Sequence, residues 1–366
     1  MSTVTTANNY AGSHIFCSER LYFSFKNTTF ALTNSAVSSC RTPICLIQTI
    51  ETGRTACGIH HYERPMRYIA AMTIAGSDSC GGAGIQADIK TMSALGVYAA
   101  SVITAVTAQN TLGVTGIEAV SPAMIAAQIR AVMDDIRPLA VKIGMVNDAE
   151  TVIAIADTLA DYIAGKPAAD TNILYKGMET AEKEPAKEAS VTVKHIVVDP
   201  VMVATSGSKL MAADAVEAFI DRLLPIATVL TPNIPEAEVL SGITINDIST
   251  CEKAGRSLSK RCPGYVLIKG GHADEGDKKR DRLFKDGEMV MTVEAEAIDT
   301  PNTHGTGCTL SSAIAALLAR GMDITKAIRT AKTYVSRAIR AGSDVQTGGG
   351  HGPVNHFFDP QALIIE

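Results

Sequence analysis

The chain has 366 residues, 46% hydrophobic and 19% charged, with a formal net charge of −5 and a pI near 5.9. That balance offers no basic footprint for nucleic acid or an anionic membrane, and no apolar run approaches the ~20 residues of a membrane span. The N-terminus lacks the basic start and apolar run of a secretory signal, and the eight cysteines are dispersed with no C-x-x-C pair, which fits reduced thiols in the cytoplasm.

Residues 1–65 are rich in Ser, Thr and Asn and show no sustained period of 2 or 3.6, so a poorly ordered extension is expected, with Met66 as the true start. A transit peptide is the other reading, since acids are few, although arginines are few as well. Cys40, Cys45, Cys57 and His60 can be drawn as a zinc set, but their spacing matches no standard finger. From Tyr68 the pattern sharpens. Apolar runs predict strands at 68–75, 97–107, 141–143, 196–198, 228–230 and 266–269. Helical spacing predicts helices at 85–95, 125–136, 150–164, 213–224, 248–261, 309–320 and 324–341. Residues 165–193 break the rhythm with Pro, Lys, Glu and Ala and read as a surface insertion. The run 274–282, with charges of both signs, reads as a solvated loop. Strands alternating with helices predict an α/β fold, a mostly parallel central sheet covered by helices on both faces, with ligands at the carboxyl ends of the strands.

Three segments carry chemistry. The first is Gly76-Ser-Asp78-Ser-Cys80-Gly-Gly82-Ala-Gly84-Ile-Gln-Ala87-Asp88. It holds Gly82-x-Gly84-x-x-Ala87 between a strand and a helix, formally a dinucleotide fingerprint, but Ser101 to Asn110 contains no acid to hold a ribose. Glycines for a tight turn, bracketed by Asp78 and Asp88, suit recognition of a polar substrate instead. The second is Thr303-His-Gly305-Thr306-Gly307-Cys308, opening an apolar helix. Its glycines let successive N–H groups converge, and the helix N-terminus adds partial positive charge, making a cup for a phosphoryl group. Those dipoles are expected to lower the pKa of Cys308 and make it a base toward a substrate hydroxyl. The bland alternative is a buried cysteine in a Gly-capped turn. The third is Thr231-Pro-Asn233-Ile-Pro-Glu236, where an amide and a carboxylate three residues apart suit Mg²⁺ held through waters, or simply a helix N-terminus. Lys269, at a strand end, offers a cation to nucleotide phosphate. No G-x-x-x-x-G-K-[ST] occurs, which excludes the Walker loop.

In this order the segments resemble the hydroxymethylpyrimidine/phosphomethylpyrimidine kinase family of the ribokinase superfamily, from about Met66 to Phe358. The resemblance also takes in Ser101-Val-Ile-Thr-Ala-Val-Thr-Ala-Gln-Asn110, Val141-Lys-Ile-Gly-Met145, Val198-Asp-Pro-Val-Met202 and Gly350-His-Gly-Pro-Val-Asn-His356. It implies a ribokinase-like domain at 66–366 in which ATP phosphorylates 4-amino-5-hydroxymethyl-2-methylpyrimidine and then its monophosphate, in thiamine biosynthesis. It implies that Gln109, helped by Asp88, holds the aminopyrimidine, with Gly76, Met145 and Val201 lining the pocket. Gly305, Thr306, Gly307 and Cys308 then form the anion hole and base. Asn233 and Glu236 serve Mg²⁺ and phosphate, and Asp199 and Lys269 lie near the nucleotide. ATP and Mg²⁺ are the expected cofactors, a monovalent cation is left open, and a cytoplasmic homodimer is expected. Residues 1–65 have no counterpart in the family pattern, 165–193 is longer than usual, and Cys80 stands where Ser is commoner. Pyridoxal kinase, alone or as a dual activity, is the nearest rival. A nucleotide-binding regulator without catalysis and a Rossmann oxidoreductase stand further off.

Overall fold

The structure, a computed structural model, describes residues 13–17, 20–25, 28–33, 66–165, 192–203, 210–270 and 278–366. It divides into two units, Met1–Met66 and Arg67–Glu366. In the first, β1 (Ser13–Cys17), β2 (Arg20–Phe25) and β3 (Thr28–Thr33) form an antiparallel sheet in the order β1-β2-β3. These strands are ones the sequence pattern did not anticipate. The cysteine and histidine set at 40–60 lies outside the described residues.

The second unit alternates strand and helix as the pattern requires. Its elements are β4 (Ala70–Asp78), α1 (Gly84–Ala94), β5 (Tyr98–Asn110), β6 (Gly113–Ala119), α2 (Pro122–Asp135), β7 (Ala140–Ile143), α3 (Ala149–Ile163), β8 (His195–Val198) and α4 (Ala213–Ala218). Then follow β9 (Val229–Leu230), α5 (Ile234–Ser241), α6 (Ile248–Arg261), β10 (Tyr265–Ile268), β11 (Lys278–Lys285), β12 (Glu288–Glu296), α7 (Thr306–Ala319) and α8 (Ile324–Ala341). After α4 the chain widens into a π-turn at Phe219–Leu223 and then tightens into a 3-10 turn at Leu224–Ile226, so the helix expected at 213–224 is regular only in its first half.

One nine-stranded sheet runs β12-β11-β10-β9-β8-β7-β4-β5-β6. Its central neighbours pair in parallel, while β6, β11 and β12 add antiparallel edges. Alternate strand residues feed two cores, as the two-residue period demands. Met72, Ile74, Val141 and Ile143 pack with Ile125 and Ile129 of α2 and Ile155 and Leu159 of α3. Ala71 and Ala140 point the other way, onto Met92 of α1 and the apolar α7, where every residue from Thr309 to Ala319 is buried. A helix apolar all round belongs in an interior, and α7 is the centre of that layer.

Two expectations change. The run 274–282 is no solvated loop from Lys278 onward: it enters β11, pairs with β10 and β12, and buries Asp281 and Arg282. Asp281 is held there by Lys332 of α8 at 2.6 Å. The insertion expected at 165–193 falls mostly on residues 166–191, outside the described residues. The flanks meet, with Val193 N donating to Tyr162 O at 3.3 Å.

Candidate active site

The carboxyl ends of β4, β5, β7, β8, β9 and β10 open onto one cavity of 770 Å³, at the upper end of ligand-pocket volumes and roomy enough for two small molecules. All the site residues expected from sequence line it except Asp88. Three helix N-termini face it as well: Ala83 and Gly84 before α1, Asn233 before α5, and Gly305 before α7. Their aligned dipoles favour anions together, although at the first two starts the Ala83 and Glu236 N–H groups are already bonded to Asp78 and Asn233.

The glycines of the two loops are explained by contact with each other. Gly305 has φ +79°, and a Cβ there would lie 1.8 Å from the Gly82 carbonyl oxygen. A Cβ on Gly82 would strike the His304 ring at 2.4 Å. The β4–α1 loop therefore serves as the wall on which the Gly305–Cys308 cup is built. This disposes of the dinucleotide reading of Gly82-x-Gly84: Gly82 is spent on packing against His304, and Gly84, at φ +55°, on the Gly76 carbonyl 2.2 Å from where its Cβ would sit. No side chain caps α7, and Thr306 N donates to Thr303 O at 3.2 Å, so the Gly307 and Cys308 N–H groups are the ones left to a ligand.

Around the cup lies a charge cluster. A Cβ on Gly307 would sit 3.5 Å from Lys269 Nζ and 3.7 Å from Asp199 Oδ2. Lys269 binds Asp199 at 2.7 Å and approaches Glu236 at 3.8 Å, so this strand-end lysine is engaged rather than merely solvated. Asp199 also accepts from Thr231 and Ser311, each at 3.1 Å. Burial works to raise its pKa, but Lys269, Lys142 and the Thr231 hydroxyl hold it below the ordinary range. Asn233 and Glu236 form a reciprocal capping box: Glu236 Oε2 accepts from Asn233 N at 2.7 Å, and Asn233 Oδ1 from Glu236 N at 2.9 Å. The plain helix-start role and the cavity-facing role thus coincide. Burial, with Asp199 adding to it and Lys269 opposing, pushes Glu236 up to about 7.

Asp88 requires a correction. It is fully buried on α1, where Oδ2 accepts from Lys142 Nζ at 2.7 Å and Thr73 Oγ1 at 2.6 Å, and it does not line the cavity that Gln109 faces. Its Oδ1 has no hydrogen-bond partner among the described residues. Lys142, the charge inside Val141-Lys142-Ile143, went unassigned from sequence. A lysine in the middle of a buried strand was the available signal, since such a charge demands a partner. Cys308 lies beside this ion pair, and its Sγ accepts from Gly84 N. Its pKa corrects the helix-dipole argument. Burial, reinforced by Asp88 and Asp199, outweighs Lys142 and the Gly84 N–H and pushes the thiol up to about 11.

At the other end of the cavity His304 Nε2 lies 2.9 Å from Asp78 Oδ2. Burial works to raise Asp78, but hydrogen bonds from His304, Cys80 and Ala83 win and hold it at about 2. Gln109 places Nε2 3.5 Å from His304 Nε2 and Oε1 3.1 Å from Thr107 Oγ1. His304 Nε2 donates to Asp78, so two donors face each other in that orientation. Turning the amide over removes that clash and lets its NH₂ donate to Thr107 Oγ1, whose own proton goes to Ser77 O at 2.9 Å. Gly76 and Met145 close this end, where a Cβ on Gly76 would meet Met145 Sδ at 2.9 Å.

A parallel sheet whose strand ends converge on an anion cup, a Lys–Asp–Glu cluster and a small heterocycle-sized recess is the arrangement of a ribokinase-like small-molecule kinase. A family model described as "Phosphomethylpyrimidine kinase" matches residues 78–191 and 178–355. The hydroxymethylpyrimidine/phosphomethylpyrimidine kinase of Rhizobium meliloti (strain 1021) is 48% identical over 288 residues, covering 78% of this chain and 96% of that protein. The enzyme of the same name from Haemophilus influenzae is 42% identical, covering 78% and 96%. Among solved structures, phosphomethylpyrimidine kinase from Clostridium difficile 630 is 41% identical with a TM-score of 0.58, covering 74% of this chain and 99% of that one. Pyridoxal kinase from Staphylococcus aureus in complex with AMP-PCP and pyridoxal is 30% identical with a TM-score of 0.63, covering 79% and 93%. The chain belongs to the phosphomethylpyrimidine kinase family.

Proposed function

We propose that this chain uses ATP to phosphorylate the hydroxymethyl group of 4-amino-5-hydroxymethyl-2-methylpyrimidine, and then its monophosphate to the diphosphate, in thiamine biosynthesis. The observation that carries the reading is one cavity with a heterocycle end at Gln109 and a polyphosphate end at Lys269, meeting at Gly305–Cys308. Gln109 presents an amide donor and acceptor side by side, matching the ring nitrogen and amino group of an aminopyrimidine. Met145, Gly76 and Val201 cover the ring. Lys269 and the three helix N-termini receive the phosphates.

In the first step the substrate oxygen bonds to the γ-phosphorus while the bond to the ADP oxygen breaks. Charge spreads over the equatorial oxygens, which the cup N–H groups stabilise. The hydroxyl proton passes to Cys308, whose thiolate is scarce because the free thiol titrates near 11. In the second step the acceptor is already an anion and needs no base. A divalent metal fits Glu236, a buried carboxylate short of positive charge beside Asp199, and both offer the hard oxygen donors Mg²⁺ prefers. When bound, Mg²⁺ neutralises charge on the transferring phosphates. We assign the activity to residues 66–366, with 1–65 an extension and 165–193 a surface insertion. A cytoplasmic homodimer completes the assignment.

Incubating the full chain with ATP, Mg²⁺ and the hydroxymethylpyrimidine, and separating products by anion exchange, tests the reading. The monophosphate should rise first and the diphosphate follow. Phosphorylation of pyridoxal with none of the pyrimidine would overturn it.

A further inference from the structure

Asp78, Cys80 and His304 form a group that the phosphoryl-transfer chemistry leaves unused. Their ligand atoms lie within 4.8 Å of one another at the heterocycle end of the cavity. Four donors crowd one oxygen, Asp78 Oδ2: His304 Nε2 at 2.9 Å, Cys80 Sγ at 3.2 Å, Gly82 N at 3.2 Å and Ala83 N at 2.8 Å. Two of these are side chains whose donor atoms a metal can claim, a thiol and an imidazole, with the carboxylate oxygen set between them.

We infer that Asp78, Cys80 and His304 form a site for a borderline-soft divalent cation of the zinc class, and that its occupation blocks the heterocycle recess. A zinc ion bound by sulfur, imidazole nitrogen and carboxylate oxygen holds its ligands roughly 3.3–3.6 Å apart in a tetrahedron. The observed separations of 2.9 Å, 3.2 Å and at most 4.8 Å need shifts of no more than about 1.3 Å to match that geometry. The ion displaces the Cys80 thiol proton to solvent, while the single imidazole proton of His304 moves from Nε2 to Nδ1 and frees Nε2 to ligate; the Gly82 and Ala83 N–H bonds to Asp78 stay in place. The mixed S, N and O donor set selects Zn²⁺ or Co²⁺ over the Mg²⁺ that accompanies ATP. Lys90, whose ammonium binds the Gly81 carbonyl at 2.8 Å, is a nearby positive charge and limits the affinity. Three protein ligands leave a fourth position, which opens into the cavity that Asp78 and His304 line. Gln109 stands 3.5 Å from the His304 ligand nitrogen, so an ion there displaces whatever Gln109 holds. The inhibitory consequence rests on the function proposed above; the binding does not.

The test is a Co²⁺ titration of the full chain without substrates, followed by absorbance, and then Zn²⁺ inhibition of ADP release at fixed Mg²⁺ and ATP. Cys80→Ser is measured alongside. A thiolate-to-cobalt charge-transfer band should appear in the parent chain, vanish in Cys80→Ser, and persist in Cys308→Ser. Zn²⁺ should inhibit Cys80→Ser at least tenfold more weakly while its uninhibited rate stays unchanged. An unaltered cobalt band in Cys80→Ser would overturn the site, whatever the kinetics. A band lost in Cys80→Ser with no competition against the pyrimidine would support the site and overturn the placement of the heterocycle.

Discussion

Cys308 offers the sharpest test of the chemistry, because its surroundings pull in opposite directions. The α7 dipole and the Gly84 N–H favour a thiolate, yet burial beside Asp88 and Asp199 leaves the thiol titrating near 11. At pH 8 roughly one thiol in a thousand is then ionised, and each unit of pH changes that fraction about tenfold. If Cys308 accepts the hydroxyl proton, the rate on hydroxymethylpyrimidine should climb about a hundredfold between pH 7 and 9. The rate on the monophosphate, an acceptor with no proton to lose, should not follow that climb. Cys308→Ala should lower the first step by about 10²-fold or more, the usual worth of a positioned base, and flatten its pH profile. The second step should change by no more than about threefold, since phosphoryl transfer there leans on the cup and its charges. Single-turnover ADP release with each acceptor supplied separately reads both steps. Equal losses in the two steps, or a parent profile flat across this range, would refute the base role.

Three further outcomes follow from the same geometry. Gly305→Ala adds a methyl 1.8 Å from the Gly82 carbonyl at a φ of +79°, so the cup must open; activity should fall at least a hundredfold, with a loss of about 1–3 kcal/mol in urea unfolding. Lys142→Met strands the fully buried Asp88 and should cost about 3–5 kcal/mol by the same measurement, much of it recovered when Asp88→Asn is added; a cost under about 1 kcal/mol would contradict the pairing. Glu236 holds its proton below about 7 in the free protein, and a cation must displace that proton. Mg²⁺ should therefore act at lower concentration as pH rises from 6 to 8, and Glu236→Gln should remove that dependence; an unchanged slope in the variant would exclude Glu236 from the metal's surroundings.

The alternating core and the site's motifs were legible because each depends on local signals. Apolar runs such as Ala70–Asp78 and helical spacing such as Ile324–Ala341 mark elements whose neighbours lie on both faces of one sheet. β11 was not legible, since Lys278 to Arg282 reads as a charged loop until Asp281 finds Lys332, 51 positions away, and two strands pair around it. Sequence spacing put Asp88 beside the glycine loop, but only the sheet brings it to Lys142 of β7, where it becomes a buried counter-ion. The reversed pKa of Cys308 has the same origin. A helix start is visible in Gly305-Thr306-Gly307, whereas the burial that outweighs its dipole is set by β7 and α1 packing behind it.

The central claim is that this cavity selects an aminopyrimidine alcohol for phosphorylation by ATP. The most direct measurement is kcat/KM from ADP release with hydroxymethylpyrimidine and with pyridoxal, side by side at fixed Mg²⁺ and ATP. A preference of at least tenfold for the pyrimidine is expected, falling in Gln109→Leu far more than the pyridoxal rate does. A preference for pyridoxal, or a pyrimidine rate indifferent to Gln109, would contradict it.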